Sequence, residues 1–185
     1  YIDLHAGDTS EEVMPFVYYN VAAGEKIARV SANMAMAADM EVRASSTATT
    51  GAYSSACQRG LPAILMERGG GGKFTDSEVQ AYKRDVKNIM IRMGLLSGEE
   101  VHTVQQKNVT RAEYLEAETA GLWYPVFSAG DTFAGGAVLG SVRVIWGILL
   151  MEYRPDYPGI ILYQTVGLGV KTGDPLIAYG EYVDR

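Results

Sequence analysis

The sequence predicts an α/β unit in residues 1–103, followed by a small all-β barrel or sandwich in residues 104–185. In the first part, short apolar runs alternate with longer segments of helical period, which is typical of a parallel or mixed sheet covered by helices. From Val104 onward the helical period disappears, and glycine, proline, tyrosine and valine occur in short runs separated by turns. The polar segment "GEEVHTVQQKN" marks the boundary between the two parts.

The first part is predicted to hold four strands and three helices. The strands are "YIDL", "FVYYN", "MEVRAS" and the aliphatic run "LPAILME". A helix rich in alanine and methionine is expected from Glu25 to Ala38, and a short one in "YSSACQRG". The third helix is the clearest, because apolar residues recur along one face from Val79 to Met93. Thr75 or Asp76 would cap its start, and Gly94 would end it.

The second part contains five short strand-like runs: "GLWYPVF", "AVLGSVRVIW", "GILLMEYR", "GIILYQTV" and "PLIAYGEYV". Two of its segments are alike, since Gly130 with Asp131 and Gly173 with Asp174 each form a turn signal ahead of an apolar strand. This similarity predicts internal pseudo-symmetry, which suits a small sandwich or barrel. The tryptophan at position 146 is expected to pack in the core or at a strand edge rather than to bind a ligand.

Composition excludes several classes of function. The 16 basic and 22 acidic residues give a net charge of −6, so no nucleic-acid partner is expected. The single cysteine, Cys57, forms neither an internal disulfide nor a thiolate metal site, which favours a cytoplasmic location. The most apolar run, "VIWGILLM", is much shorter than the roughly 20 residues of a membrane helix. We therefore expect a soluble protein without a membrane partner.

His5 is the first candidate site residue. It closes the strand of "YIDLHAG", and Asp3 points to the same face because residues two apart in a strand share a face. A histidine at the carboxyl end of a buried strand is well placed to bind a metal ion, and a nearby carboxylate often orients such a ligand. The alternative is an ordinary surface histidine at a strand end.

Glu67 is the second candidate. It ends the aliphatic strand and precedes the glycine run from Gly69 to Gly72. Burial on the strand side tends to raise the pKa of a carboxyl group, as a general acid or base near neutral pH requires, and the glycines would allow close approach of a ligand. The alternative is a solvated glutamate beside Arg68.

Other chemistry is less well supported by the sequence. The glycine run lacks the Gly-Lys-Ser/Thr pattern of a phosphate loop, and no Gly-x-Ser-x-Gly motif provides a serine nucleophile. Arg68, Arg43 or Arg59 could bind a substrate carboxylate, since guanidinium matches its geometry, although each could equally be a solvated surface residue.

Taken in order, "YIDLHAG", "RGLPAILMERGGGGKFTDSEVQAYKRDVKNIMIRMGLL" and the Gly-Asp β segments resemble the succinylglutamate desuccinylase/aspartoacylase family. These are zinc-dependent amidohydrolases related to the zinc carboxypeptidases. The resemblance implies a partial carboxypeptidase-like mixed sheet, with His5 as the third zinc ligand and Glu67 as the general base and acid. It further implies hydrolysis of a small N-acyl amino acid to a carboxylate and a free amine.

The chain departs from the family pattern at one motif. The first two zinc ligands of the family come from a His-x-x-Glu motif, which this sequence does not contain. We therefore expect the C-terminal part of a longer enzyme, inactive on its own and unable to hold zinc, whose incomplete sheet favours a homo-oligomer. The alternatives are a non-catalytic binding or assembly module, and a zinc carboxypeptidase relative that cleaves peptides.

Overall fold

The computed structural model, which describes residues 1–182, separates the chain into two units that are interleaved along the sequence. The first unit comprises Tyr1–Ala6, Pro15–Arg68 and Lys73–Thr110. The second comprises Gly7–Met14, Gly69–Gly72 and the chain from Arg111 onward. The chain therefore enters the second unit twice, for short segments, before it continues there after Thr110.

The described residues form three helices and fourteen strands. In chain order these are β1 (Ile2–His5), β2 (Glu11–Val13), β3 (Phe16–Asn20), α1 (Glu25–Ala37), β4 (Val42–Ser46), α2 (Ala52–Gln58), β5 (Ile64–Glu67), α3 (Asp76–Arg92), β6 (Lys107–Val109), β7 (Ala112–Glu116), β8 (Gly121–Pro125), β9 (Thr132–Phe133), β10 (Gly140–Arg143), β11 (Leu149–Tyr153), β12 (Gly159–Thr165), β13 (Gly169–Val170) and β14 (Pro175–Glu181). Across residues 1–182, no helix has both the length and the apolar character needed to cross a membrane.

The first unit is built on a mixed five-stranded sheet, which confirms the predicted α/β class. Its strand order is β1-β5-β3-β4-β6, and only the β5–β3 pair is antiparallel. Strand β3 is buried along its whole length, as expected for the centre of a sheet. The α/β core contains β3 and β5 residues together with alanines and methionines of and just after α1: Val17, Tyr19, Met34, Ala35, Ala37, Ala38, Met40, Ile64, Met66 and Ile89.

Helix α3 begins and ends where the sequence predicts. The Thr75 side chain accepts a hydrogen bond from the Glu78 backbone N–H, and the Glu78 carboxylate accepts one from the Thr75 backbone N–H, which completes a capping box. At the other end, Gly94 has a φ of 73°, a conformation that glycine adopts without a steric penalty. The sequence signals at both ends of this helix are therefore confirmed.

The second unit contains two antiparallel sheets among its described residues. One has the order β11-β10-β8-β13, and the other has the order β2-β12-β14-β7, with β9 also paired to β12. Apolar residues of both sheets form one core cluster, in which Trp123 is fully buried. Trp146, by contrast, is 84% exposed at the turn between β10 and β11, so the prediction that it packs is wrong for the single chain.

The two Gly-Asp segments adopt the same local structure. The Asp131 carboxylate accepts a hydrogen bond from the Ser128 backbone N–H at 2.8 Å, and Asp174 accepts one from Lys171 at the same distance. The glycine before each aspartate has a positive φ, 91° in one turn and 85° in the other. The sequence similarity therefore reflects a repeated turn that precedes a strand in both cases.

Candidate functional site

The structure brings His5 and Glu67 together at the carboxyl ends of β1 and β5. These strands are parallel, and their register places the two residues directly opposite each other. The His5 Nδ1 atom lies 3.4 Å from Glu67 Oε1, and the His5 Nε2 atom lies 3.6 Å from Asp3 Oδ1. The imidazole is about half exposed, whereas both carboxylates are mostly buried. Two residues far apart in sequence thus share one site, with a carboxylate near each ring nitrogen.

Tyr82 of α3 joins the ends of the same two strands. Its hydroxyl donates to the backbone carbonyl of His5 and also lies 3.1 Å from the carbonyl of Met66. Burial, followed by the negative charge of Glu67, raises the pKa of Tyr82 above its ordinary value. The hydroxyl therefore stays protonated and remains a donor, which fixes the backbone from which His5 and Glu67 project.

Sequence reasoning placed Tyr82 only among the apolar residues of the helical face. A tyrosine within an otherwise aliphatic stripe is itself a signal, since a buried phenol requires a hydrogen-bond partner. The sequence did not show which backbone groups it would meet, because that depends on how α3 packs on β1 and β5.

The glycine run after Glu67 serves a different purpose from the one predicted. Gly69, Gly71 and Gly72 have φ angles of 82°, 62° and 63°, and a Cβ on Gly70 would lie 2.4 Å from the carbonyl oxygen of Glu11. The Gly71 N–H donates to that same carbonyl at 2.9 Å. Glycine is therefore required here for close approach of the segment before β2, rather than for approach of a ligand.

Arg68 lies in the interior of the first unit. Its Nε and Nη2 atoms donate to Asp85 Oδ2 at 3.0 and 2.8 Å, and Nη2 also donates to the Asp39 carbonyl at 2.9 Å. Asp39 in turn accepts hydrogen bonds from Thr103 and an ion pair from Arg84 at 3.0 Å. The contacts of Arg68 therefore support a structural role and lend no support to the predicted substrate role.

Arg43 is also held by neighbours in the first unit. It lies on β4, which is separated from β1 by β5 and β3. Its Nε donates to Asn108 Oδ1 at 2.9 Å, and its Nη1 donates to Gln106 Oε1 at 3.1 Å. The structure therefore does not bring Arg43 to the His5 and Glu67 pair, and its binding of a substrate stays a prediction.

The residues present do not form a complete zinc site. Catalytic zinc takes three protein ligands and keeps a fourth position open. Within residues 1–182, no group of three or more histidine, cysteine, aspartate or glutamate side chains is placed to hold a metal ion. His5 has the chemistry of a zinc ligand, with a carboxylate near its other ring nitrogen to orient it, but the described part of the chain supplies no matching pair of further ligands.

Comparison with known proteins agrees with the resemblance seen in the sequence. No family model matches the chain. The N-alpha-acetyl-L-2,4-diaminobutyric acid deacetylase of Halomonas elongata is 24% identical over 192 residues, which cover 99% of this chain and 56% of that protein.

Solved structures extend the likeness to the fold. The product-bound ectoine utilization protein EutE (DoeB) of Ruegeria pomeroyi matches with a TM-score of 0.86 and 21% identity, over 98% of this chain and 57% of that one. A succinylglutamate desuccinylase/aspartoacylase of Rhodobacter sphaeroides matches with a TM-score of 0.80 and 20% identity, over 98% and 58%.

These likenesses define the class of protein. The resemblance to the succinylglutamate desuccinylase/aspartoacylase family is confirmed, since this chain has the mixed α/β fold of proteins that carry that family name. The chain spans a little over half of the length of the relatives it matches, 56% to 58% in these three comparisons.

Proposed function

We propose that this chain is part of a zinc-dependent amidohydrolase that removes the acyl group from a small N-acyl amino acid. The observation that carries the proposal is the His5 and Glu67 pair, 3.4 Å apart at the carboxyl ends of two parallel strands. The name of the Halomonas elongata relative, a deacetylase of an N-acetylated diamino acid, supports the substrate class. The proposal includes a cytoplasmic location and a sandwich or barrel form for the second unit.

In this proposal Glu67 transfers protons. Its carboxylate is mostly buried, and one oxygen faces the His5 imidazole. A carboxylate in this position can take a proton from the attacking water and pass it to the nitrogen of the leaving amine. The hydroxyl of Tyr82 holds the strand ends in place, so the distance between Glu67 and His5 is set by the backbone.

His5 is the proposed metal ligand, and Asp3 is the residue that orients it. A metal-bound imidazole commonly directs its other ring nitrogen to a carboxylate, and the described contacts of His5 provide one on either side. The remaining zinc ligands are proposed to come from the longer protein. The chain on its own is then expected to be inactive.

The surface of the first unit supports a longer protein. Among the described strands, β1 pairs only with β5, so its other edge is open. Beside it lies an apolar groove of about 430 Å³, lined by Leu4 of β1, by Leu96 and by one face of α3: Val79, Tyr82, Lys83, Val86, Lys87 and Met90. We infer that the rest of the α/β domain packs against this edge and groove.

The test uses the longer protein with a panel of N-acetyl and N-succinyl amino acids. Glu67→Gln should lower kcat by roughly 10²- to 10⁴-fold while leaving the zinc content unchanged, because it removes proton transfer alone. His5→Ala should lower the zinc content measured by elemental analysis. Glu118→Gln, at an exposed position of the second unit, is the matched control and should leave both quantities unchanged. Full hydrolysis by Glu67→Gln, or a wild-type protein without zinc, would contradict the proposal.

A further inference from the structure

The turn between β10 and β11 presents a continuous apolar surface, which we call the hairpin patch. Its five residues are between 42% and 84% exposed: Ile145, Trp146, Ile148, Leu149 and Leu150. The turn that carries them is well defined by hydrogen bonds, since the Val144 N–H donates to the Ile148 carbonyl at 3.0 Å and the Gly147 N–H donates to the Val144 carbonyl at 2.8 Å. The exposure is therefore a property of an ordered hairpin.

The area of the hairpin patch is large for a surface in contact with water. The Trp146 side chain contributes on the order of 200 Å², and each of the four aliphatic side chains adds roughly 100 Å² at the usual transfer coefficient. The resulting patch of about 600 Å² lies at the upper end of the apolar patches found on monomers. Two such patches facing each other would bury about 1,200 Å², which reaches the range of specific interfaces.

The charge distribution allows two copies of this surface to approach. The chain carries a net charge of −6, so most pairs of surfaces on two copies would repel each other. No charged residue lies between Val144 and Met151. The Arg143 guanidinium, just before the turn, donates to the Gly147 carbonyl at 3.2 Å and so stays beside its own hairpin.

The backbone of β11 offers a second source of contact. Among the described strands β11 pairs only with β10, so the N–H and C=O groups of its other edge face outward. An antiparallel pair of two β11 strands is self-complementary about a two-fold axis, which is the commonest symmetry of homo-oligomers. The apolar side chains and the open strand edge thus belong to one continuous surface.

From these observations we propose that the hairpin patch and the outer edge of β11 form the interface of a two-fold symmetric homodimer. The occupant is a second copy of this chain, since the patch has the area, the lack of charge and the open edge that self-association requires. A lipid surface is the competing occupant, and the acidic balance of the chain makes it the weaker candidate.

The test measures the oligomeric state of the full chain by sedimentation velocity and light scattering. The wild-type chain should form a dimer within the range of about 1 to 100 μM. The double variant Ile145→Ser/Trp146→Ser should raise the dimer dissociation constant by at least about 100-fold, because each substitution occurs twice in a symmetric interface. Since both side chains are exposed, the variant should keep the circular dichroism spectrum of the wild type.

A matched control exists on the first unit. Leu95 is 73% exposed, as is Ile145, and Phe74 is 78% exposed against 84% for Trp146. The variant Phe74→Ser/Leu95→Ser should therefore lose a similar apolar area and keep the dimer. A monomeric wild type, an unchanged dimer in the hairpin variant, or equal loss of the dimer in both variants would overturn the proposal. Binding of a monomeric wild type to phosphatidylcholine vesicles would assign the patch to a lipid surface instead.

Discussion

Replacing Arg68 by methionine tests whether its guanidinium is structural. The substitution keeps an unbranched apolar side chain and removes two hydrogen bonds to Asp85 and one to the Asp39 carbonyl. Asp85 is fully buried, and the Asp39 backbone N–H, at 2.8 Å, is its remaining hydrogen-bond donor. The variant therefore leaves a buried carboxylate without its cation.

The expected cost is large because one partner of a buried ion pair stays behind. Such changes destabilise proteins by about 3–5 kcal/mol, a substantial part of the roughly 5–15 kcal/mol that stabilises a typical native protein. Urea unfolding followed by circular dichroism should show a midpoint lower by roughly 2 M at an ordinary m value. The double variant Arg68→Met/Asp85→Asn should recover most of the loss, since asparagine keeps the acceptor for the Asp39 N–H and removes the charge.

The pH dependence of the same variant gives a second measurement. Burial raises the pKa of Asp85, and the guanidinium of Arg68 opposes that rise. Without Arg68 the folded-state pKa lies further above the unfolded one, so the penalty is fully present at high pH and is relieved as the pH falls through the folded pKa. The difference in unfolding free energy between wild type and Arg68→Met should therefore shrink in acid.

Two results would refute this account. A single variant within about 0.5 kcal/mol of the wild type would mean that the pair contributes no more than an exposed ion pair. A variant of the longer protein with normal stability and a raised KM would instead support the substrate role predicted for Arg68 from the sequence.

The remaining predictions concern packing and acid stability. Gly140→Ala should destabilise the chain by about 1–3 kcal/mol in urea unfolding, because the added Cβ would lie 2.2 Å from the Trp123 ring, whereas Gly169→Ala, with no atom within 4 Å, should cost little. The hydrogen bonds from Arg92 hold the pKa of Glu100 below its usual range, so their stabilisation is present above the unfolded pKa and is lost as the pH falls through the folded pKa. Arg92→Met should therefore show a smaller loss of melting temperature than the wild type between neutral and acid pH; equal losses in the two proteins would contradict this assignment.

Much of the first unit follows from local sequence signals. The capping residue Thr75 and the terminal Gly94 define α3, because both act through the backbone of the nearest turn. The pairing of His5 with Glu67 follows from two strand ends of the same parallel sheet, which lie at one edge. Whether these residues carry the chemistry stays a prediction.

The burial of Arg68 could have been inferred from its position. Neighbouring residues of a strand point to opposite faces, so Glu67 and Arg68 would not reach the same site. Its partner, Asp85, was not evident, because the contact depends on the packing of α3 on the sheet. The exposure of Trp146 was equally hidden, since an apolar run in the sequence has the same appearance whether it faces the core or a partner chain.

The interleaving of the two units depends on contacts between distant residues, which no local pattern reveals. Residues 7–14 follow β1 directly and yet belong to the second unit, where β2 pairs with β12. The glycine run has the same character, since Gly70 and Gly71 pack on Glu11 within the second unit. A boundary placed at residues 103 and 104 on composition alone omits both segments.

The position of β2 has a consequence for synthesis of the chain. Glu12 of β2 and Gln164 of β12 lie in paired strands and share a hydrogen bond at 2.8 Å, although 152 residues separate them. At a translation rate of about 5–20 residues per second, β2 leaves the ribosome roughly 8 to 30 s before the strand it pairs with. During that interval residues 11–13 have no partner strand, while the segments of the first unit on either side of them are already available to fold. Completion of the second unit must then thread an early segment into a late sheet, which makes the last 25 or so residues before Arg185 a kinetic requirement for the first 15.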